Sequence, residues 1–250
     1  MHSRETVDKV LALCRPGVTT RELAMLTGLP ESTIAHWRRG DRRGPGVRGS
    51  RRCPRCDEGT LVDSYAYLLG AYLGDGHISW HRRGVQALSV YCSDDWPKIM
   101  DDVEAAMREV LASSVCRVRR PGCMEIKAYS THWVCLFPQY GPGMKHTRPI
   151  VLEPWQQELV ERHTAAFLRG LFHSDGCRIT NWATRTVDGR TTRHEYPRWF
   201  FSNESADILG LCSAGLDRLG IAHRFPRYNT ISVARKEAVA ALDEAVGPKA

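Results

Sequence analysis

Two apolar stretches with helical spacing each end in the dipeptide Asp-Gly. The first reads "YLLGAYLGDG" over residues 67–76, and the second reads "FLRGLFHSDG" over residues 167–176. Each is followed by alternating apolar and polar residues, as in strands, and then by apolar positions three or four apart, as in an amphipathic helix. Two more strand-like segments and a helix complete each half. The pattern predicts an α+β protein that contains an α-β-β-α-β-β-α unit twice.

Local signals refine the two halves. Polar residues in front of the amphipathic helices predict their N-caps, Ser93-Asp94 in the first half and Ser202-Asn203 in the second. The second half is longer because it contains "RTVDGRTTRHE", residues 185–195, which predicts an arginine-rich hairpin loop. Trp80, Trp182 and Trp199 fall in strand-like sequence, and we expect them to pack within the sheets.

The duplication predicts repeats over residues 63–149 and 150–250 that pack about a pseudo-twofold axis. Gly70 and Gly74 lie four residues apart and therefore share one helical face, and Gly170 and Ser174 take the same places in the second copy. Small residues at this spacing let two helix backbones approach closely. We therefore expect the two repeated helices to form the seam between the halves. Helix packing alone would explain these small residues, but it does not explain the aspartates.

Asp75 and Asp175 occupy an unfavourable place for an acid. A carboxylate at a helix C-terminus faces the negative end of the helix dipole, which costs about 0.3–1 kcal/mol. Gly76 and Gly176 are expected to end the helices in a left-handed conformation. If the helices pack side by side, the two carboxylates meet, and a cation such as Mg²⁺ would relieve their repulsion. Paired carboxylates with a divalent metal are suited to phosphodiester hydrolysis.

The stretches "LLGAYLGDG" and "LRGLFHSDG" resemble the two namesake motifs of the LAGLIDADG, or dodecapeptide, homing endonucleases. The resemblance extends over residues 63–247 and agrees with the repeated order of elements. It implies a double-motif monomer that places two saddle-shaped sheets on double-stranded DNA, with Asp75 and Asp175 as metal ligands. Leu73 and His173 stand where the family name has an earlier acid.

The resemblance also implies a basic residue near each metal. Lys236 falls where the last strand meets the last helix, which is similar to the family's lysine location, although a solvated lysine at a helix start explains it equally well. In the first half, Thr131 aligns with Lys236. That half therefore has no equivalent lysine unless Lys127 or Lys145 reaches the site.

Basic residues outnumber acidic ones, with a formal net charge of +7, and arginine supplies 29 of the 35 positive side chains. Arginine makes bidentate contacts with phosphates and guanine edges that lysine cannot make. This composition favours nucleic acid as the partner. The arginines expected to contact DNA from the strands are Arg82, Arg83, Arg185, Arg193 and Arg227, with Arg117 as a further candidate.

Residues 1–40 resemble a helix-turn-helix module, with Thr20 as a cap, Gly28 in the turn, and Ile34 and Trp37 facing inward. A generic helical hairpin is the alternative. Residues 41–62 follow as a basic linker. Its arginine- and glycine-rich first part cannot bury a core and favours the DNA-binding interpretation. The side chains expected to face the major groove are Ser32, Thr33, His36, Arg38 and Arg39.

Nine cysteines at irregular spacing favour reduced thiols and a cytoplasmic protein. Cys53 and Cys56 form half of a zinc-binding pattern, but no second CxxC or HxxxH follows at a suitable distance, so a bound zinc there is possible but is the less favoured interpretation. Cys135 is among the cysteines assigned to strand-like sequence. No apolar run approaches the ~20 residues that would span a membrane.

Together these patterns predict Mg²⁺-dependent cleavage of duplex DNA by a monomer. The alternative is a transcriptional regulator that keeps the endonuclease scaffold only to bind DNA. The aspartates Asp75 and Asp175 favour the enzyme, whereas the missing lysine in the first half favours the regulator.

Overall fold

A computed structural model of the chain describes residues 2, 4–15, 17–38, 53–57, 59–112, 114–188, 190–247 and 249. The chain divides into two compact units, Met1–Arg51 and Arg52–Ala250. Within the described ranges, no helix is both long and apolar enough to cross a membrane.

The N-terminal unit consists of three helices, α1 (Arg4–Ala12), α2 (Thr20–Thr27) and α3 (Glu31–His36). Thr19, rather than the expected Thr20, caps α2, because Thr19 and Glu22 form a reciprocal capping box. Gly28 ends α2 with a φ of 67°, a left-handed conformation that favours glycine. The inward positions predicted for Ile34 and Trp37 are confirmed, since both are buried.

The larger unit confirms the predicted duplication. Its first half contains α4 (Asp63–Asp75), β1 (Gly76–Trp80), β2 (Gln86–Ser93), α5 (Pro97–Val110), β3 (Val115–Arg120), β4 (Cys123–Ser130) and α6 (Trp133–Leu136). Its second half contains α8 (Thr164–Asp175), β5 (Gly176–Val187), β6 (Arg190–Ser202), α9 (Ala206–Arg218), β7 (Arg224–Arg227), β8 (Thr230–Val233) and α10 (Lys236–Val246). Between them lies α7 (Pro154–Arg162), which was not predicted.

Each half forms one antiparallel four-stranded sheet, and the strand orders, β1-β2-β4-β3 and β5-β6-β8-β7, correspond exactly in the duplication. One face of the first sheet packs on the helices through Leu88, Val90 and Ile126. Because side chains alternate along a strand, the neighbouring residues face away from the helices. The face of the first sheet that turns away from the helices, here called the uncovered face, carries the exposed Tyr91 and Tyr129, while Ala87 and Ser89 on the same face are buried.

The arginine-rich segment of the second half is a pair of long strands rather than a loop. The β5–β6 ladder continues as far as the pair Val187 and Arg190. Threonines, which favour strands, recur on both sides, and the hydroxyl oxygens of Thr186 and Thr191 lie 2.9 Å apart across the ladder. The predicted loop is therefore wrong.

The predicted helix caps are also wrong. Helix α5 begins at Pro97, and helix α9 is capped by Ser205, whose hydroxyl accepts a hydrogen bond from the Ile208 amide at 3.4 Å. Asn203 instead accepts a hydrogen bond from the Ser205 amide at 2.8 Å, which turns the chain before the helix. The side-chain amide nitrogen of Asn203 donates a hydrogen bond to Asp175 at the seam.

Candidate active site at the helix seam

Helices α4 and α8 pack backbone to backbone, as predicted from their small residues. A Cβ added to Gly70 would lie 2.8 Å from the Leu171 nitrogen, and one added to Gly170 would lie 2.8 Å from the Ala71 nitrogen. Side-chain carbons do not come so close to backbone atoms in folded proteins. Glycine is therefore required at both places for the helices to approach to this distance.

This approach brings the ends of the two helices together. Asp75 and Asp175 are the last residues of α4 and α8. The Asp75 amide donates a hydrogen bond to the Ser174 hydroxyl at 2.7 Å. A Cβ on Gly74 would lie 3.1 Å from Asp175 Oδ2, so the Asp175 carboxylate lies directly against the end of α4. The sequence prediction that both acids stand at one end of the seam is confirmed by this geometry.

The glycines after the acids serve a different purpose from the predicted one. Gly76 and Gly176 have φ values of −85° and −83°, which are extended rather than left-handed. A Cβ on Gly76 would lie 2.8 Å from Tyr72 Cδ2, and one on Gly176 would lie 2.7 Å from Phe172 Cα. Glycine is needed because each chain turns from helix into strand against its own preceding helical turn.

Asp175 is held in an environment that disfavours its charge. Burial, together with the nearby charge of Asp75, raises the pKa of the Asp175 carboxyl to about 6. The Asn203 amide opposes this by donating a hydrogen bond to Asp175 Oδ2 at 2.7 Å. Asp75 itself is exposed. The two acids are therefore chemically different even though the helices that carry them are repeats.

Two lysines contact the ends of the same helices. Lys145 donates a hydrogen bond to the Gly74 carbonyl at 2.8 Å, and its ammonium lies 5.1 Å from the centre of the Tyr72 ring. Lys249 donates to the carbonyls of Ser174 and Gly176 at 3.2 and 2.7 Å. Each lysine thus binds carbonyl oxygens at the C-terminal end of one seam helix.

Burial lowers the pKa values of both lysines. For Lys145 the pKa falls to about 8, although the negative charges of Asp175 and Asp75 act in the opposite direction. The Lys249 pKa is also lowered by burial, against the attraction of the same two acids. A lysine whose pKa lies near neutrality can exchange a proton more readily than an exposed one.

The acids and lysines are distributed over two clefts. Asp75 and Lys249 line one cleft together with Ser93. Asp175 and Lys145 line the other together with Asn203. Each cleft therefore pairs an acid from one repeat with a lysine from the other. Such a pair could hold a cation at the carboxylate and a phosphate oxygen at the ammonium.

The lysines proposed from sequence lie in different places. Lys236 is the exposed first residue of α10, and the described linings of the two clefts do not include it. Lys127 forms an ion pair with the buried carboxylate of Glu125. Of the two first-half alternatives, Lys145 reaches the seam and Lys127 is paired elsewhere. Sequence reasoning missed Lys249, because alignment of the repeats gave no reason to fold the tail back onto α8.

His173 and Leu73, which depart from the family name, are both buried in the seam. A ring nitrogen of His173 lies 3.2 Å from the Tyr67 hydroxyl, and burial lowers the His173 pKa to about 4. The imidazole is therefore neutral at physiological pH. The His173 ring packs edge-on against the Tyr67 ring of α4, and neither residue adds an acid to the seam.

The strand arginines are spread over the surface of the sheets. Arg82 and Arg83 form the 3₁₀ turn between β1 and β2 and are exposed. Arg185 lies on the long hairpin and Arg227 at the end of β7, and both are exposed. Arg193 pairs with Glu195 at 2.7 Å and stacks 5.1 Å from the centre of the Trp182 ring. Their contacts with DNA remain predictions.

Arg117 lies on the helix-facing side of its sheet. It is opposite the buried Ile126 in the β3–β4 ladder, and it forms ion pairs with Asp101 and Glu104 of α5 at 2.6 and 2.8 Å. Its guanidinium group is therefore occupied by the helix layer. This placement removes Arg117 from the uncovered face of the sheet, where the sequence interpretation had put it.

The tryptophans also divide between the two environments. Trp199 is 1% exposed and belongs to the core, as expected. Trp80 and Trp182 are 53% and 54% exposed, so the prediction that they are packed is wrong. One exposed tryptophan therefore stands on the first hairpin of each half. Trp80 is the last residue of β1, and Trp182 is opposite Glu195 in the β5–β6 ladder.

In the N-terminal unit, Ser32 and His36 are exposed on α3, and Thr33 is half-buried. The Arg38 guanidinium donates hydrogen bonds to the Val18 carbonyl at 3.0 Å and to the Thr20 hydroxyl at 3.1 Å. Arg38 thus connects the end of α3 to the start of α2. Arg39 and the basic segment 41–52 lie outside the described residues, and their roles remain predictions.

Comparisons with known proteins concern the larger part of the chain. No family model and no curated protein matches it. The N-terminal LAGLIDADG domain of DUF199/WhiA matches with a TM-score of 0.43 and 16% identity, covering 75% of this chain and 82% of that one. The LAGLIDADG meganuclease I-AabMI, solved on uncleaved DNA, matches with a TM-score of 0.45 and 9% identity, covering 72% and 83%.

A variant of I-DmoI, solved with its target DNA in the presence of manganese, matches with a TM-score of 0.44 and 14% identity. That match covers 74% of this chain and 94% of that one. Over about three quarters of its length, the chain is therefore similar to solved LAGLIDADG structures, among them a meganuclease and the WhiA domain.

Proposed function

We propose that the protein binds duplex DNA and hydrolyses its phosphodiester bonds with a divalent metal, Mg²⁺ in the cell. The observation that carries the proposal is the pairing of an acid and a lysine in each of two clefts at the end of the seam. Asp75 and Lys249 form one pair, and Asp175 and Lys145 form the other. The same combination, an acid from one repeat and a lysine from the other, thus lines both clefts.

The residues present fit a divalent cation. Carboxylate oxygens are the ligands that Mg²⁺ prefers. Burial and the charge of Asp75 raise the Asp175 pKa, so a cation bound at the Asp175 carboxylate would stabilise its charged form. When bound, such a metal supplies a more acidic water and stabilises charge on the phosphate oxygens.

The lysines provide the protein's own contribution to the chemistry. Lys145 and Lys249 are held by backbone carbonyls, so their ammonium groups are positioned before any substrate arrives. A pKa of about 8 lets Lys145 exist partly in the neutral form near neutral pH. Lys145 can then accept a proton at Nζ from a water molecule, or return one to a leaving oxygen.

Exposed arginines provide the DNA-binding surface in this proposal. Arg185 and Arg227 can reach phosphates or base edges in the major groove from a β-ribbon. Helix α3 of the N-terminal unit, with Ser32, Thr33 and His36, adds a second DNA contact on the helix-turn-helix interpretation.

One observation favours the alternative, a regulator that binds DNA without cutting it. Asp175 already receives a hydrogen bond from Asn203, and both lysines attract it. Asn203 and the two lysines could therefore offset the negative charge of Asp175 without a metal. In that case the acids would stabilise the seam, and DNA binding would be the whole activity of the protein.

The deciding experiment selects bound sequences from random duplexes and then measures cleavage of the selected duplex. Wild-type protein is expected to cut in Mg²⁺ and to bind without cutting in Ca²⁺. Asp75→Asn and Asp175→Asn should abolish cutting while leaving affinity in Ca²⁺ nearly unchanged, since the sheets supply the binding contacts. Tight binding by a wild-type protein that never cuts in Mg²⁺ or Mn²⁺ would leave the regulator as the function.

The lysine assignment has its own test on the same duplex. Lys145→Met and Lys249→Met should each slow cutting at one cleft, so that nicked DNA accumulates. Lys236→Met is the matched control, because Lys236 is exposed and is not among the described residues that line the two clefts. If Lys236→Met nicks and the other two variants cut normally, the sequence-based assignment of Lys236 is correct.

A further inference from the structure

Four potential metal ligands meet at a site that shares no residue with the two clefts. Cys53 and Cys56 come from the "CPRC" segment, and His132 and Cys135 come from the start of α6. Their ligand atoms, three sulfurs and one imidazole nitrogen, all lie within 4.8 Å of one another. The residues are distant in the sequence, so the fold itself brings them together.

The distances fit a tetrahedral zinc ion. Zn–S bonds of about 2.3 Å and Zn–N bonds of about 2.0–2.1 Å place sulfur and nitrogen roughly 3.6 Å apart around a tetrahedron. His132 Nδ1 lies 3.7 Å from the sulfur of Cys56 and 3.7 Å from the sulfur of Cys135. Both separations are close to the expected value, and the remaining separations among the four ligand atoms are all within 4.8 Å.

The first pair of ligands sits on a tight turn. The amides of Cys56 and Asp57 donate hydrogen bonds to the Cys53 carbonyl at 3.0 and 2.9 Å. The Gly59 amide donates to the Pro54 carbonyl at 2.8 Å and closes the loop. This turn places the two thiols on the same side of the backbone.

The second pair sits on an anchored helical turn. His132 is the N-cap of α6, and Cys135 lies three residues later, so both face the same direction. The His132 amide donates to the Ser130 hydroxyl at 3.1 Å, and the buried indole of Trp133 donates to the Ala128 carbonyl at 2.9 Å. The ligands are therefore held by β4 and by the core rather than by a free loop.

Burial argues for a structural rather than a catalytic ion. Cys53 is 1% exposed and packs within the core of the larger unit, whereas Cys56 is exposed at the surface. Four protein ligands complete the tetrahedral shell of zinc and leave no position for water or substrate. An ion there would connect residues 53–57 to the end of the first sheet.

We propose that Cys53, Cys56, His132 and Cys135 bind one structural Zn²⁺ that fastens the first segment of the larger unit to α6. Thiolate and imidazole ligands select zinc over the Mg²⁺ proposed at the seam. The sequence interpretation missed the site because it searched for a second CxxC or HxxxH, whereas the second half is the HxxC of "HWVC".

The test uses the full chain, purified without chelator, with metal content measured by mass spectrometry. One zinc per chain is expected in wild type. Cys56→Ser and Cys135→Ser should lose it, and Cys116→Ser, an exposed cysteine on β3, should keep it. Asp75→Asn should also keep its zinc, which separates this site from the proposed cleavage activity.

Cobalt substitution gives a second readout that does not depend on a mutant folding. Wild type loaded with Co²⁺ should show the intense visible bands of tetrahedral coordination and the ultraviolet bands of thiolate ligands. A zinc content well below one per chain combined with no such spectrum would overturn the proposal. An equal zinc content in Cys56→Ser, Cys135→Ser and wild type would also overturn the proposal. The proposal would also be refuted if thiol titration showed that Cys53 and Cys56 are oxidised.

Discussion

The charge of Asp175 can be removed to test whether the end of the seam is built for a cation. At neutral pH the wild-type carboxylate is ionised in a place that disfavours ionisation, since the pKa is raised from the ordinary 3.8 to about 6. Each unit of pKa corresponds to about 1.36 kcal/mol, so the ionised group costs the folded state about 3 kcal/mol. Solvent reaches the half-buried group, which makes this value an upper bound.

Asp175→Asn retains an oxygen that can accept the Asn203 hydrogen bond, and it removes the charge. Above pH 6 we therefore expect the variant to be more stable than wild type, by up to about 3 kcal/mol in EDTA. Because the Asp175 pKa is higher in the folded state than in the unfolded state, proton binding by wild type favours folding. This contribution is fully present below pH 3.8 and is lost as the pH rises through about 6. The difference between the two proteins should accordingly be near zero at pH 4, grow between pH 4 and 6, and then level off.

The assay is urea denaturation at several pH values in EDTA, repeated in Mg²⁺. Asp217→Asn is the matched control, because the Asp217 side chain is 74% exposed. Mg²⁺ should stabilise wild type and the control but not Asp175→Asn, since ligand binding to the folded state adds to stability. A variant less stable than wild type in EDTA at pH 8 would refute the argument and indicate a structural role for the carboxylate.

Three further predictions follow from the seam, the N-terminal unit and the lysines. Gly70→Ala should destabilise the protein by about 1–3 kcal/mol, because the added Cβ overpacks the seam. Gly210→Ala should instead stabilise α9 by about 0.5–1 kcal/mol, because a Cβ at that position meets open space. Chemical denaturation of both variants checks this. Deleting Met1–Arg51 should weaken DNA binding and flatten its salt dependence, and an unchanged slope would show that this unit does not touch phosphates. If neutral Lys145 accepts a proton, the cutting rate should rise with pH and level off above about 8, and a profile flat from pH 6 to 9 would exclude that role.

The duplication and the seam could be predicted because both depend on local spacing. Apolar periods identify helices and strands wherever one face is buried. Glycines four residues apart mark a close helix contact, and the acids that follow them are carried to the same end. Asp75 and Asp175 could therefore be placed from sequence without knowing how the sheets pair.

Other features depend on contacts between distant segments, which no local pattern encodes. Lys249 reaches α8 only because the chain after α10 returns to the seam. His132 and Cys135 reach Cys53 only because β4 carries α6 to that edge of the core. Arg117 has the right residue type for DNA, but its partner Glu104 lies on a helix that sequence alone does not place against β3.

The two clefts also differ in a way that the repeat does not predict. Ser174 stands where the first helix has Gly74, and its hydroxyl holds the Asp75 amide. The Asp175 carboxylate lies against the space that Gly74 leaves open, where it becomes half-buried, while Asp75 stays exposed. The difference between Gly74 and Ser174 thus accompanies a difference between the acids. The pKa of Asp175 is raised, whereas Asp75 is exposed to solvent. Since each acid shares its cleft with a lysine from the other repeat, each cleft needs residues from both halves of the protein. Both clefts therefore depend on the close packing of α4 and α8, which requires glycine at positions 70 and 170.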